Sequence, residues 1–195
     1  MKLFTVMICT LPERKESFDR LMHDITNQTM SSGLGQEVEF IYDDTPRGEI
    51  TTGDKRNKLT KRAESKFCAF IDDDDEVHPQ YVKLIVDTIK QYDDLDCIGF
   101  WGEIYFQGVL GGKMIHSIAC DNWTEKPGIY YRPPNHLNPV RTELVRQSPF
   151  RDITISEDHF WSVDLKRNNT LKKEVFLGTK EPLYVYKCGV GKKGL

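Results

Sequence analysis

The sequence predicts an α/β fold, a mainly parallel sheet with helices on both faces, in a single domain. Three observations predict it. Short apolar runs alternate with amphipathic segments through the first two-thirds of the 195 residues, the connections between them are short, and polar clusters recur just after the apolar runs. Strands joined by helical crossovers run parallel and are buried on both sides. Apolar content of 38% and charged content of 29% are ordinary for a soluble globular chain, and the length suits one core rather than two.

The elements follow in order. Leu3 to Cys9 is a first strand. Met1 to Thr10 superficially resembles a signal peptide. Its apolar stretch is short, no small-residue cleavage site follows, and Pro12-Glu13-Arg14-Lys15 closes it. Ser17 to Thr26 is a helix with Phe18, Leu21, Met22 and Ile25 on one face. Val38 to Tyr42 is a second strand, ending in Asp43-Asp44, and Lys55 to Ser65 a second helix. Phe67 to Ile71 is a third strand, and Pro79 fits the first turn of a helix running to Tyr92. Cys97 to Phe106 is another strand, Gly108 to Gly112 a turn, and Met114 to Ala119 a strand after it. The last third is less regular: Tyr130 to Pro134 reads as a loop, Glu157 to Arg167 as a helix, and Leu183 to Lys187 as a late strand.

Bulk properties exclude some functions. A net charge of −3 and a pI near 6.0 argue against a uniformly basic nucleic-acid surface. After Phe160, however, eight Lys and Arg residues (166, 167, 172, 173, 180, 187, 192 and 193) face three acids, a segment that reads as a solvated face or as an attractor of a polyanion. The five cysteines are scattered, without metal-ligand spacing, and read as reduced thiols of a cytoplasmic protein. No run approaches the ~18 apolar residues that span a bilayer.

Four consecutive aspartates, Asp72 to Asp75, follow the third strand, with Glu76 after them. Like charges at this density repel and raise one another's pKa. A hard divalent cation at the strand end would relieve the repulsion, and oxygen ligands suit Mg2+ or Mn2+. A solvated acidic turn is the other reading. In parallel sheets ligands bind beyond the carboxyl ends of the strands. Thr10 to Arg14, Asp43-Asp44 and the aspartate run all fall there, which favours a site.

Five segments, in this order, resemble the family-2-type glycosyltransferases of the GT-A fold. They are Thr10 to Arg14, Asp43-Asp44, Gly53-Asp54-Lys55-Arg56-Asn57, the run Phe70 to Glu76 with Pro79, and Ser156-Glu157-Asp158-His159-Phe160-Trp161. The resemblance covers about residues 3 to 168 and implies a nucleotide-sugar donor, a UDP-sugar by preference, with Mn2+ or Mg2+ under its diphosphate. It implies Asp74 as the metal ligand, with Asp72 and Asp73 near the ribose or the metal shell, a register open by one residue. Asp75 and Glu76 would cap the turn and the following helix. Thr10, Leu11 and Arg14 would line the nucleotide side, Asp44 would meet the base, and Lys55 and Arg56 the phosphates. Alternatively, Arg56-Asn57 pins a helix end to neighbouring loops. Asp158 would be the general base of an inverting transfer. Ser156 capping a helix with acids in its first turn accounts for the same residues.

His136, Glu157, Trp101 and Trp123 are candidates for the sugar or acceptor, with core packing as their other reading. Residues 1–106 would form the nucleotide-sugar half and 107–195 the acceptor half. The default acceptor is a glycan. The small size also resembles viral and phage enzymes that glycosylate hydroxymethylated pyrimidines in DNA. A nucleotidyltransferase would carry a glycine-rich loop where Thr10-Leu11-Pro12-Glu13-Arg14 stands, and a non-catalytic module would not need Asp74 and Asp158.

Overall fold

A computed structural model describes residues 2–189. Lys192 and Lys193 of the basic segment lie outside the described residues. The chain forms β1 (Phe4–Cys9), a 3-10 turn (Pro12–Arg14), α1 (Lys15–Ser31), β2 (Val38–Asp43), α2 (Thr52–Arg62), β3 (Phe67–Phe70), β4 (Glu76–Val77) and α3 (Tyr81–Gln91). Then come β5 (Cys97–Phe106), β6 (Val109–His116), β7 (Thr124–Lys126), β8 (Ile129–Arg132), β9 (Val140–Arg141), α4 (Thr142–Gln147), α5 (Glu157–Arg167), β10 (Glu174–Leu177) and β11 (Tyr184–Cys188). The sheet runs β2-β1-β3-β9-β5-β6-β8-β7, with β10 and β11 also pairing β5.

Pairing is parallel for β2-β1-β3, for β5 with β10 and β11, and for β6 with β8. The two-residue β9 runs antiparallel between β3 and β5, and β6 returns antiparallel along β5. The sheet is therefore mixed, with its parallel part where the strand–helix alternation predicts it. Residues alternate faces along each strand. Val6, Ile8, Phe67, Ala69 and Ile71 pack with α1 and α3, whereas Met7, Cys68 and Phe70 pack with α2, α4 and α5. Each large side chain so buried contributes about 1.5–3 kcal/mol.

Several local expectations are corrected. Pro79 precedes the helix, which begins at Tyr81; His78 Nδ1 accepts the Gln80 N–H and its carbonyl the Tyr81 N–H. Tyr130 to Arg132 is strand, because Ile129–Arg132 pairs with Lys113–His116, and Pro133-Pro134 ends it. The glycines after Gly108 are not a turn. Val109 already pairs with Phe106, Gly111 is skipped in the register, and a Cβ on Gly112 would sit 2.5 Å from the Gly128 carbonyl oxygen. Glu76 lies in β4 against β11 and pairs with Lys187 rather than capping a helix. Ser156 adopts φ +65° and makes no side-chain capping bond. No helix among the described residues is long and apolar enough to cross a membrane.

Candidate active site

The site lies where β1, β2 and β3 end and where α2 and α5 begin. Thr51 caps α2 by accepting the Asp54 N–H at 3.0 Å. Gly53 donates its N–H to the Ile153 carbonyl at 3.0 Å, and a Cβ there would stand 1.8 Å from the Arg151 carbonyl oxygen. Only glycine allows this approach, which brings α2 against the segment leading into α5. Asn57 holds the same seam by exchanging two hydrogen bonds with the Phe150 backbone, each 2.9 Å. Arg56, one residue before, consequently reaches Glu157 at the start of α5.

The four aspartates have four different surroundings. Asp72 accepts from Arg56 Nη2 at 3.4 Å and lies 3.5 Å from His136 Nε2. Asp73 is buried, accepts the Thr10 hydroxyl at 2.6 Å and pairs with Arg14 Nη2 at 2.7 Å. Burial pushes its pKa up, against Thr10 and Arg14. Asp74 meets the same Arg14 nitrogen at 2.6 Å. Asp75 is buried and accepts the Tyr184 hydroxyl at 2.8 Å and the Lys187 N–H at 2.7 Å. Burial, with Asp72 nearby, holds its pKa well above the carboxylate range. Tyr184 accepts the Asp72 N–H at 3.1 Å, so one hydroxyl braces both ends of the run. Asp75 thus anchors the run to β11 instead of capping it.

Two adjoining cavities share Arg56, Asp72 and Thr154. The first, about 370 Å³, is lined by Thr10, Leu11, Arg14, Lys55, Asp73 and Asp74. Lys55 is buried and donates to the carbonyls of Thr10 and Thr45, so it ties the β1 and β2 loops together at the cavity wall. Cys9 also lines it, with its thiol pushed up to about 12 by burial and so kept protonated. Arg47 of the loop before α2 lines it too, a position that carries no motif. Asp44 is exposed and lines neither cavity. Its neighbour Asp43 accepts the Thr45 N–H at 2.9 Å. Partial burial would raise the Asp43 pKa, but the Thr45 bonds and the Lys55 charge hold it below the usual value.

The second cavity, about 380 Å³, takes in His136, Glu157, Asp158 and Trp123. Arg56 lies over the Phe70 ring at 4.7 Å and pairs through Nε with Glu157 Oε1 at 3.1 Å, both side chains buried. Burial would lower the Arg56 pKa, yet neighbours including Asp72, Glu157 and Asp158 hold it above the ordinary value. His136 stands between two carboxylates, with Nδ1 3.6 Å from Asp158 Oδ2 and Nε2 3.5 Å from Asp72 Oδ2. Trp101 lies elsewhere, donating to the Thr179 carbonyl at 2.8 Å and carrying the Lys113 ammonium over its ring. Tyr186, Arg132 and the buried His116 also line the second cavity. Tyr184, Tyr186 and His116 carry no signal in the sequence beyond apolar neighbours.

A divalent cation fits this chemistry. Arg14 already places one positive charge between Asp73 and Asp74, and the donors there are carboxylate oxygens. Among the described residues no group of three or more His, Cys, Asp or Glu converges on one point. The chain would thus contribute one or two carboxylates to a bound Mg2+ or Mn2+.

The glycosyl transferase family 2 sequence model matches residues 23–164. The chain belongs to that family. Among solved structures, it is similar to residues 1–349 of S. aureus TarS in complex with UDP-GlcNAc, at 16% identity and a TM-score of 0.64, over 100% of this chain and 60% of that one. The same TarS fragment with UDP gives 17% identity and 0.62, over 96% and 60%. A glycosyltransferase involved in glycosylation of the major capsid of PBCV-1 gives 12% and 0.52, over 94% and 93%. These likenesses show the GT-A fold. The chain spans 60% of the TarS fragment's length. No curated protein sequence matches it.

Proposed function

We propose that this chain transfers a sugar from a UDP-sugar to an acceptor hydroxyl, with Mg2+ or Mn2+ under the diphosphate and inversion at the anomeric carbon. The observation that carries the reading is the opposition of Asp72 and Asp158 across one cavity, with His136 between them and Arg56 tying Asp72 to Glu157. The binding of UDP and UDP-GlcNAc by TarS supports the choice of donor.

The first cavity would hold the nucleotide. Thr10, Leu11, Lys55 and Asp73 form its walls, and Arg14, part-exposed, would meet the diphosphate. Asp74 and Asp72 would hold the cation. When bound, the ion offsets charge growing on the diphosphate. In the second cavity Asp158 takes the proton of the acceptor hydroxyl, the freed oxygen pair forms the new bond to the anomeric carbon, and the bond to UDP breaks. Arg56 and Glu157 fix the start of α5 and with it Asp158. The residue 1–106 half would serve the donor and the 107–195 half the acceptor. Five free thiols favour the cytoplasm.

The test is a screen of UDP-sugars with Mn2+ or Mg2+, reading UDP release and the anomeric configuration of the product. Asp158→Asn should lower turnover by about 10²- to 10⁴-fold. Failure of every UDP-sugar to bind or react would overturn the reading.

A further inference from the structure

We infer that Tyr184 is a positioning residue, whose buried hydroxyl holds the aspartate turn with Asp72 and Asp74 towards the cavities before any cation arrives. This rests on the cation site proposed above and adds to it a residue far away in the sequence.

The run divides by burial. The Asp73 side chain is fully buried and Asp75 is 1% exposed, whereas Asp72 and Asp74 keep 26% and 14% of their side chains exposed. Asp73 is engaged by Thr10 and Arg14, and Asp75 by Tyr184 and the Lys187 N–H. Alternate members are thus anchors, and the two others line the cavities. The Asp75 N–H donates to the Asp72 carbonyl at 3.1 Å, which closes the run into a turn with Asp73 and Asp74 at its tip.

Tyr184 staples the two ends of that turn. Its hydroxyl donates to Asp75 Oδ2 at 2.8 Å and accepts the Asp72 N–H at 3.1 Å. A phenol can do both at once without adding charge. Carboxylates this close repel one another, so an unbraced turn would open. The brace is itself fixed. Tyr184 is fully buried against Phe100, and β11 pairs there with β5 at Gly102 and with β4 at Val77. A Cβ on Gly102 would stand 2.4 Å from the Tyr184 carbonyl oxygen, so glycine lets β11 seat. β4 begins directly after the run, and backbone pairing and the hydroxyl therefore secure the same turn. Tyr184 lines neither cavity, so it reaches a ligand only through the aspartates. Ligands held in place beforehand bind an ion more tightly, because less order is lost on binding.

The experiment measures Mn2+ binding by calorimetry, in the presence of UDP, for wild type, Tyr184→Phe and Tyr81→Phe. Tyr184→Phe deletes one hydroxyl and changes no charge. Tyr81 supplies the control, being equally buried in the same core with a hydroxyl that has no hydrogen-bond partner among the described residues. Tyr184→Phe should weaken Mn2+ binding by about tenfold, and Tyr81→Phe should leave it unchanged. Amide hydrogen exchange on the metal-free wild type needs no variant and decides the matter if Tyr184→Phe does not fold. The Asp72 and Asp75 N–H groups should already be protected without Mn2+ or UDP. Equal Mn2+ affinity in wild type and Tyr184→Phe would reduce the tyrosine to packing, as would equal weakening in both variants. Amides that slow only when Mn2+ and UDP are added would mean that the cation builds the turn. Each of these results overturns the inference. No Mn2+ binding by the wild type would instead sink the cation site on which it rests.

Discussion

At Arg56 a buried guanidinium meets Glu157, Asp72 and the face of Phe70 at once. A lysine carries the charge but not the planar fork that reaches two carboxylates. Arg56→Lys should therefore unfold at lower urea, by about 2 kcal/mol, and lose turnover with it. His116 makes a second test. It is buried, stacked on Phe100 at 5.0 Å and hydrogen-bonded to Asn138, and burial lowers its pKa from 6.5 to about 3. Below pH 6.5 the unfolded chain binds a proton that the folded one refuses. Stability is thus intact above that pH and falls as pH drops towards 3, by about 1.4 kcal/mol per unit from this group. Urea melts of the wild type and His116→Gln at pH 6.5 and 5 should show it as a difference, the wild type losing more stability on acidification than the variant; equal losses would count against it. Arg56, Asp72 and Asp158 were legible because each sits in a segment of recognisable spacing. Tyr184 was not: a tyrosine in a late apolar strand looks like packing until its hydroxyl is seen between Asp72 and Asp75.

Helices and strands were legible where periodicity was strong, and less so where contacts with distant backbone decide. The strands β1 and β3 and the helix α5 lie within a residue of expectation, since alternation and charge placement mark them locally. The strand β8 was missed although Pro127-Gly128 marks a turn before it: Tyr130 to Arg132 pairs antiparallel with β7 across that turn and parallel with the more distant β6, and the short β7 of Thr124–Lys126 is too polar to read as its partner. The start of α2 depends on a similar distant contact. Gly53 admits the Arg151 carbonyl, which no feature of α2 itself announces. Gly53→Ala should favour the isolated helix by ~1 kcal/mol yet destabilise the protein, because the backbone must move away. A net loss of about 1–3 kcal/mol in urea unfolding is expected, accompanied by slower transfer as Arg56 and Glu157 separate.

Across the whole molecule, the mixed sheet puts the first cavity at the ends of the parallel strands β1 and β3 and the second beside β6 and β8. The parallel part was readable from strand–helix alternation. The strands β9 and β10 were not, and β11 was read as a late strand without its place beside β5, because their partners lie far away in sequence. If the aspartates hold a cation, EDTA should abolish UDP release and added Mn2+ should restore it, with Asp74→Asn weakening Mn2+ binding in the presence of UDP by calorimetry. Tyr184 bears on timing as well as geometry. Its bond to Asp72 closes a loop of 112 residues, and Lys187 then completes the shell around Asp75. A chain emerging from the ribosome therefore carries its aspartates unbraced until β11 has followed them out. Contacts this distant in sequence form late in folding. Competence for catalysis would then arrive abruptly, with the last parallel strand, rather than growing as each half of the cleft is made.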